Sequence, residues 1–597
     1  MLIYANSARF STTTSTWQAA VRKVTVSKDM VAFLVLLAVA LVLAACNFQS
    51  HPADLIIHNA TILDMDASRA TSSQRKERGP RNTAIAIKDG RILEVGPERT
   101  ILNKYSAPEK VDLQTAVIYP GFMDAHAHFM GYAMGLASAD LVGTNSWEEV
   151  LARVEGHVQS QGLKPGEWIL GRGWDQNDWA VAEYPSRFDQ LEDRFGDPPV
   201  LLWRVDGHAV IANGLALDAA GFDVRTELTG GVLLKNPENS TLAGSHAALS
   251  GLLIDRAADS LQSCVPSPDS LRKIDLILEA QENILAVGLT HITDAGLDRD
   301  DIELLADLHA DGRLKLRLEA MIADTPENLD HYISAGPIVN DRLQVKSVKF
   351  YMDGSLGSRG AALISPYADM SSHSGYLLQT PDDFRAKLER LHYAGFQAAT
   401  HCIGDSAVRT ALTLYKEVLG GVNDRRWRIE HAQVVHPDDV ARFAAATVIP
   451  SVQPTHATSD MYWAGQRLGR NRVRRAYVYK ELQNQLGLLP LGTDFPVEDI
   501  APLKTYRAAT LRTDADGFPS GGFQAENALD RRSALLGMTQ WPALACFRER
   551  TLGRIQAGYW ADFTVLDRNL LLVADDELAS TRVLQTWISG EQLFKAR

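Results

Sequence analysis

Cysteine is scarce in this chain: four in 597 residues, at Cys46, Cys264, Cys402 and Cys546. They are too few and too scattered for a disulfide framework or a zinc knuckle. Positive charge is also in deficit, with 60 Lys and Arg against 73 Asp and Glu, a formal net charge of −13. With no basic stripe to reverse that balance, nucleic acid is not an expected partner. A membrane-spanning run is lacking too. The apolar stretch 31–45 has about 15 residues, short of the roughly 20 that cross a bilayer as a helix. What remains is globular in character, 46% hydrophobic, 22% charged and 8% aromatic, and long enough for more than one structural unit.

The short apolar run has its own meaning. Arg22, Lys23 and Lys28 precede it, and small residues close it at Leu43, Ala44 and Ala45, directly before Cys46. A basic region, a short apolar region and small residues before a cleavage point read as a secretory signal. The cysteine that follows resembles a bacterial lipobox, in which that residue is lipidated and becomes the new N-terminus. Residues 1–29 exceed what such a leader needs, so Met30 is a candidate start. The expectation is an exported lipoprotein, held at a membrane by acyl chains on Cys46 and facing the periplasm or cell exterior.

Beyond a tether at 46–52, residues 53–118 are short and strand-like, with β-branched runs at 54–63 and 84–93. The far end, 546–597, has the same texture around 553–566. The two ends are expected to pair into one small β-sandwich. Between them, eight apolar runs alternate with amphipathic stretches: 116–126, 288–296, 314–322, 343–354, 395–405, 427–435, 447–456 and 486–496. That alternation predicts an α/β protein with a (β/α)8 barrel over 119–140 and 271–545. About 160 residues separate the first two runs, far more than one βα unit needs, so a cap subdomain is expected at 141–270.

Barrel enzymes build their sites at the C-terminal ends of the strands. The run 120–128 reads PGFMDAHAH, and its two histidines, His126 and His128, stand at i and i+2, on one side of an extended segment. The ends of later runs add Lys349, His401, His431 and Asp494. Imidazole nitrogens and carboxylate oxygens suit a divalent ion, with Zn²⁺ the expected one. An open coordination position would bring the pKa of a bound water down to about 7, yielding hydroxide at neutral pH. Asp494 would then act as general base and afterwards as general acid. Taken singly, each residue has a plainer explanation: a core histidine, a paired lysine, a turn-forming aspartate. Their joint placement at strand ends favours the metal site.

At this point the chain resembles the amidohydrolase superfamily, and within it the YtcJ-like branch related to N-substituted formamide deformylase. The resemblance runs from Ala53 to the C-terminus. Its carriers are PGFMDAHAH (120–128), GRGWD (171–175), DGH (206–208), KFYMDGSLG (349–357), HCIGD (401–405), RIEHA (428–432), QPTH (453–456), GTDFP (492–496) and AGYWAD (557–562). Tyr559 stands where a basic residue is common in that branch. The resemblance implies that His126 and His128 hold one metal and that His401 and His431 hold a second. It gives Asp494 to the first metal as proton shuttle. Lys349 sits where many members carry a lysine carbamylated by CO₂ that bridges two ions. Such a lysine must first be neutral, which burial favours. Trp174, Asp175, His208 and His456 are placed at the pocket mouth as candidate substrate contacts.

The function expected is metal-dependent hydrolysis of a carbon–nitrogen bond in a non-peptide amide, N-substituted formamides among the candidates. The rivals are hydrolysis of an ester, phosphoester or lactone on the same site, and a binding protein that retains the barrel without the chemistry. Expected partners are a small-molecule substrate and, through the anchor, a membrane, with self-association left open.

Overall fold

The computed structural model describes residues 50–597 apart from 66–81, 164–165, 177–178, 180–188, 206–208, 224, 229–230, 236–248 and 267; before residue 50 it describes only 27, 30–33 and 35. Cys46 and His208 therefore lie outside the described residues. Among the described residues, no helix is long and apolar enough to cross a membrane.

Seven parallel strands form the barrel wall in chain order: Phe122–Ala127, Leu289–Leu297, Arg317–Ala323, Leu343–Tyr351, Gln397–Cys402, Arg428–His431 and Ile449–Ser451. The eighth position is filled by an extended segment rather than a regular strand. Leu491 forms a single parallel bridge to Val452. Backbone bonds from Val452 to Pro490 and from Gly492 to Val452 tie the segment to the seventh strand, and bonds from Ala125 to Leu491 and from Asp494 to His126 tie it to the first. The circle is thus closed by hydrogen bonding, as the (β/α)8 pattern requires. The expected strand from 486 does not form there, because the helix Tyr479–Leu486 runs into it and ends at Gly487 in the left-handed conformation.

The helices between strands start where the sequence supplies caps. Thr325 and Thr380 each accept the backbone N–H three residues on, and each is followed by a proline in the first turn. The same chemistry corrects the seventh run. It was expected to extend to His456, but the strand stops at Ser451 and Pro454 opens the helix Pro454–Asp460, so His456 is helical.

The first run also divides. Val117–Pro120 pairs antiparallel with Phe563–Leu566 in a flanking sheet, and only Phe122–Ala127 belongs to the barrel. Gly121 is the joint: a Cβ there would stand 2.3 Å from the Thr290 hydroxyl. The flanking domain has a four-stranded sheet built from 55–112 and a five-stranded one that joins Thr61–Ile62 and Val117–Pro120 to three C-terminal strands. Arg317, on the third barrel strand, clasps Asp562 of that domain through Nε at 2.6 Å and Nη2 at 3.0 Å, both side chains buried. Between the first two barrel strands, a six-stranded mixed sheet runs from Ser138 to Asp255 and carries its own apolar core. The cap sheet thus begins a little before 141, while the helix Ser270–Ala286 packs with the barrel against Phe129–Gly135 and the second strand.

Candidate metal centre

His126 is wholly buried on the first strand. Its Nδ1 lies 2.6 Å from Glu430 Oε2, while its Nε2 faces Lys349 Nζ at 3.0 Å and Asp494 Oδ1 at 3.6 Å. His128, just past the strand, brings Nε2 to 3.2 Å from the same Asp494 oxygen. His431 closes the sixth strand, with its ring 4.9 Å from that of His126 and 4.5 Å from that of His401. His456 reaches in from the helix after the seventh strand, its Nε2 3.5 Å from Asp494 Oδ2. All six expected ligand residues meet at the C-terminal mouth of the barrel. Ligand atoms of His126, His431 and Asp494 lie within 4.8 Å of one another.

The backbone bends to assemble this. Asp494 and His431 have φ of 64° and 68°, in the left-handed region that non-glycine residues avoid. Asp494 is held there by the first strand: Asp124 accepts the Thr493 hydroxyl at 2.7 Å and backbone N–H groups of Thr493 and His126. Gly492 permits the close approach, since a Cβ there would stand 2.7 Å from the His126 backbone N and O.

The electrostatics follow from burial and pairing. Burial would raise the Glu430 carboxyl, but Arg428 and His126 outweigh it and bring its pKa to about 2. Arg428 binds it through Nε at 2.6 Å and Nη2 at 2.8 Å. Glu430 is therefore ionised and accepts the Nδ1 proton of a neutral His126, whose pKa burial and the Lys349 charge push down to about 4. That fixes the tautomer and turns a bare Nε2 toward the centre. Burial likewise lowers His401 to about 3 and Lys349 to about 8. For Asp494, burial is outweighed by His128, His126 and His431, which hold the carboxyl well below its ordinary value. Imidazole nitrogens around an ionised carboxylate are the donor set of a divalent ion. Among the described residues, His401 Nε2 and His456 Nε2 are buried without a hydrogen-bond partner, a costly state for two such atoms unless something binds them. The residues fit a metal.

The outer candidates fare differently. Trp174 has no exposed surface and gives its indole N–H to the Leu202 carbonyl at 2.8 Å, within the apolar core of the cap. Asp175 receives Arg204 Nη2 at 2.6 Å within the same cap. Four contributors carry no assignment from sequence: Glu430, Arg428, Asp124 and Gln453, whose Oε1 lies 2.8 Å from His431 Nδ1. The motif RIEHA holds two of them, but strand alternation sends Glu430 and His431 to opposite faces. The positive φ at His431 breaks that alternation, and no pattern of residue types announces it.

The sequence pattern of the amidohydrolase family matches residues 109–594. Protein LONG AFTER FAR-RED 3 of Arabidopsis thaliana is 32% identical over 91% of this chain and 92% of its own length. A putative amidohydrolase of Bacillus subtilis, YtcJ, is 28% identical over 87% of this chain and 97% of its own. An N-substituted formamide deformylase of Arthrobacter pascens is 26% identical over 90% and 97%. Among solved structures, an uncharacterized metal-dependent hydrolase from Pyrococcus horikoshii superimposes with a TM-score of 0.70 at 27% identity, covering 87% of this chain and 99% of that one.

Proposed function

The chain belongs to the amidohydrolase family and is a metal-dependent hydrolase; from that premise we propose that it cleaves the carbon–nitrogen bond of a non-peptide amide, with N-substituted formamides the first substrates to try. The observation that carries this is Asp494, an ionised carboxylate set among four imidazoles, one of which, His126, lies 3.0 Å from Lys349 Nζ. Similarity to a relative named for formamide deformylation favours an amide over an ester.

A divalent ion, for which zinc suits the nitrogen and oxygen donors, supplies Lewis-acid polarisation of the carbonyl and acidifies a water. His126, His128 and Asp494 would hold one such ion, His401 and His431 a second, and Lys349, carrying a carbamate, would join the two. Asp494 takes the proton of the attacking water and returns it to the departing amine nitrogen. Glu430 accepts the Nδ1 proton of His126 and holds the ring fixed in direction throughout. His456, whose Nε2 lies 3.5 Å from Asp494 Oδ2, would be a substrate contact beside that carboxylate.

The test is turnover by the zinc-loaded chain of a panel of N-substituted formamides, acetamides and matching esters. Amide turnover that chelation abolishes and zinc restores is the expected result. Ester turnover alone would overturn the carbon–nitrogen assignment.

A further inference from the structure

Tyr351 ends the fourth barrel strand, two residues beyond Lys349. Side chains at i and i+2 share a face, so the tyrosine stands directly above the lysine on the side that faces the metal centre. Their burial shows the order: Lys349 is 1% exposed and Tyr351 43%. The Lys349 Nζ lies 4.9 Å from the phenol ring centroid. The tyrosine is also in register with His401 on the fifth strand, ring centroids 5.4 Å apart. The hydroxyl reaches back past the third strand to the second, where it comes within 3.8 Å of the position a Cβ on Gly296 would take. The phenol thus lies over the mouth of the centre, its hydroxyl close to the second strand at Gly296.

Two further points turn this placement into chemistry. Among the described residues the Tyr351 hydroxyl has no hydrogen-bond partner, although its backbone carbonyl accepts from Gln379. A phenol O–H, with an ordinary pKa of about 10, is a donor at neutral pH. In a closed ring of eight, the fourth strand stands opposite the eighth position, which carries Asp494. A scissile carbon between them has the proton-accepting carboxylate on one side and a free phenol O–H on the other.

We propose that Tyr351 is a catalytic residue whose hydroxyl donates a hydrogen bond to the carbonyl oxygen of the scissile amide and holds the charge that develops there. No proton is transferred: the O–H bond of the tyrosine stays intact while the carbonyl oxygen gains negative charge in the transition state. The proposal rests on the amide-hydrolase reading above. It also assigns the pocket a uniform requirement, a planar acyl group whose oxygen points to the fourth strand.

The experiment uses the zinc-loaded full chain, with 4-nitroformanilide and 4-nitroacetanilide as chromogenic probes, and Tyr351→Phe beside wild type. A donor aimed at the transition state contributes on the order of 100- to 1,000-fold in kcat. Tyr351→Phe is expected to lose about that much kcat while KM, zinc content and Tm stay near wild type. An N-phenyl phosphonamidate, tetrahedral with an anionic oxygen in the oxyanion position, is expected to lose calorimetric affinity in step. Wild-type kcat and phosphonamidate affinity in Tyr351→Phe would overturn the role of Tyr351 and leave the hydrolase reading standing. No amide turnover by wild type itself would overturn both. Equal loss of Tm and zinc in Tyr351→Phe would show a structural role and overturn the proposal as well.

Discussion

Burial and close neighbours together set the charge of His126, Glu430, Lys349, His401 and Asp494. Glu430 is the clearest case. Anchored by Arg428, it orients His126 through a 2.6 Å hydrogen bond, and partners of this kind commonly govern 10- to 100-fold of metal affinity. Glu430→Gln keeps the shape and removes the charge, so zinc affinity in a chelator competition titration is expected to fall by about that factor. An unchanged affinity would show that the His126 ring is held by packing alone. Lys349 allows a second test. With its amine depressed to about 8 by burial, it is suited to react with CO₂, and Lys349→Ala is expected to lose activity and recover part of it in added short carboxylates. Full activity without them would remove Lys349 from the site. At this scale the sequence is legible where residue types accumulate: His126, His128, His401, His431 and Asp494 each have a plainer explanation singly and stand out only by falling together at strand ends. Glu430 and Asp124 are hidden because an acidic residue beside a histidine has many uses. Trp174 misleads for the opposite reason: a tryptophan in a glycine-rich turn looks like a ligand contact, yet its ring fills the cap.

At the level of elements, the centre depends on how the barrel closes. The eighth position is only the segment around Leu491, and it delivers Asp494 by pressing Gly492 against the His126 backbone. Gly492→Ala places a methyl group 2.7 Å from two backbone atoms that have no freedom to move aside. Overpacking of this kind costs about 1–3 kcal/mol, so a lowered Tm is expected, together with weakened metal binding because Asp494 is displaced. A variant with wild-type Tm and zinc affinity would show the segment to be more pliant than the hydrogen bonds imply. Periodicity places the eighth run at 486–496 along with the other seven, but it cannot show that only the segment around Leu491 pairs there, since a stretch that pairs through single bonds on each side needs no regular alternation. It also blurs the join at Gly121, where two strands of different sheets read as one apolar run.

For the molecule as a whole, the flanking domain is fixed to the barrel by Arg317 and Asp562, an ion pair almost fully removed from water. Removing one partner of such a pair leaves a buried charge uncompensated and costs roughly 3–5 kcal/mol. Asp562→Ala is expected to lower denaturant stability by that amount, and a loss under about 1 kcal/mol would mean the arginine finds another acceptor. The pairing of chain ends and the inserted cap are legible from texture and from the length of one gap, because both follow from connectivity. For the N-terminal region we propose a lipid anchor at Cys46: Cys46→Ala is expected to move the protein from the membrane fraction to the soluble one, and an unchanged distribution would contradict it.

The account stands on a metal held where four imidazoles, Lys349 and Asp494 converge. Elemental analysis of the purified chain, beside Asp494→Ala and His126→Ala, tests this most directly. The prediction is about one or two zinc or similar ions per chain in wild type, as one or both proposed positions fill, and clearly fewer in both variants. A wild-type chain that holds no ion after reconstitution, or variants that bind as much as wild type, would contradict it.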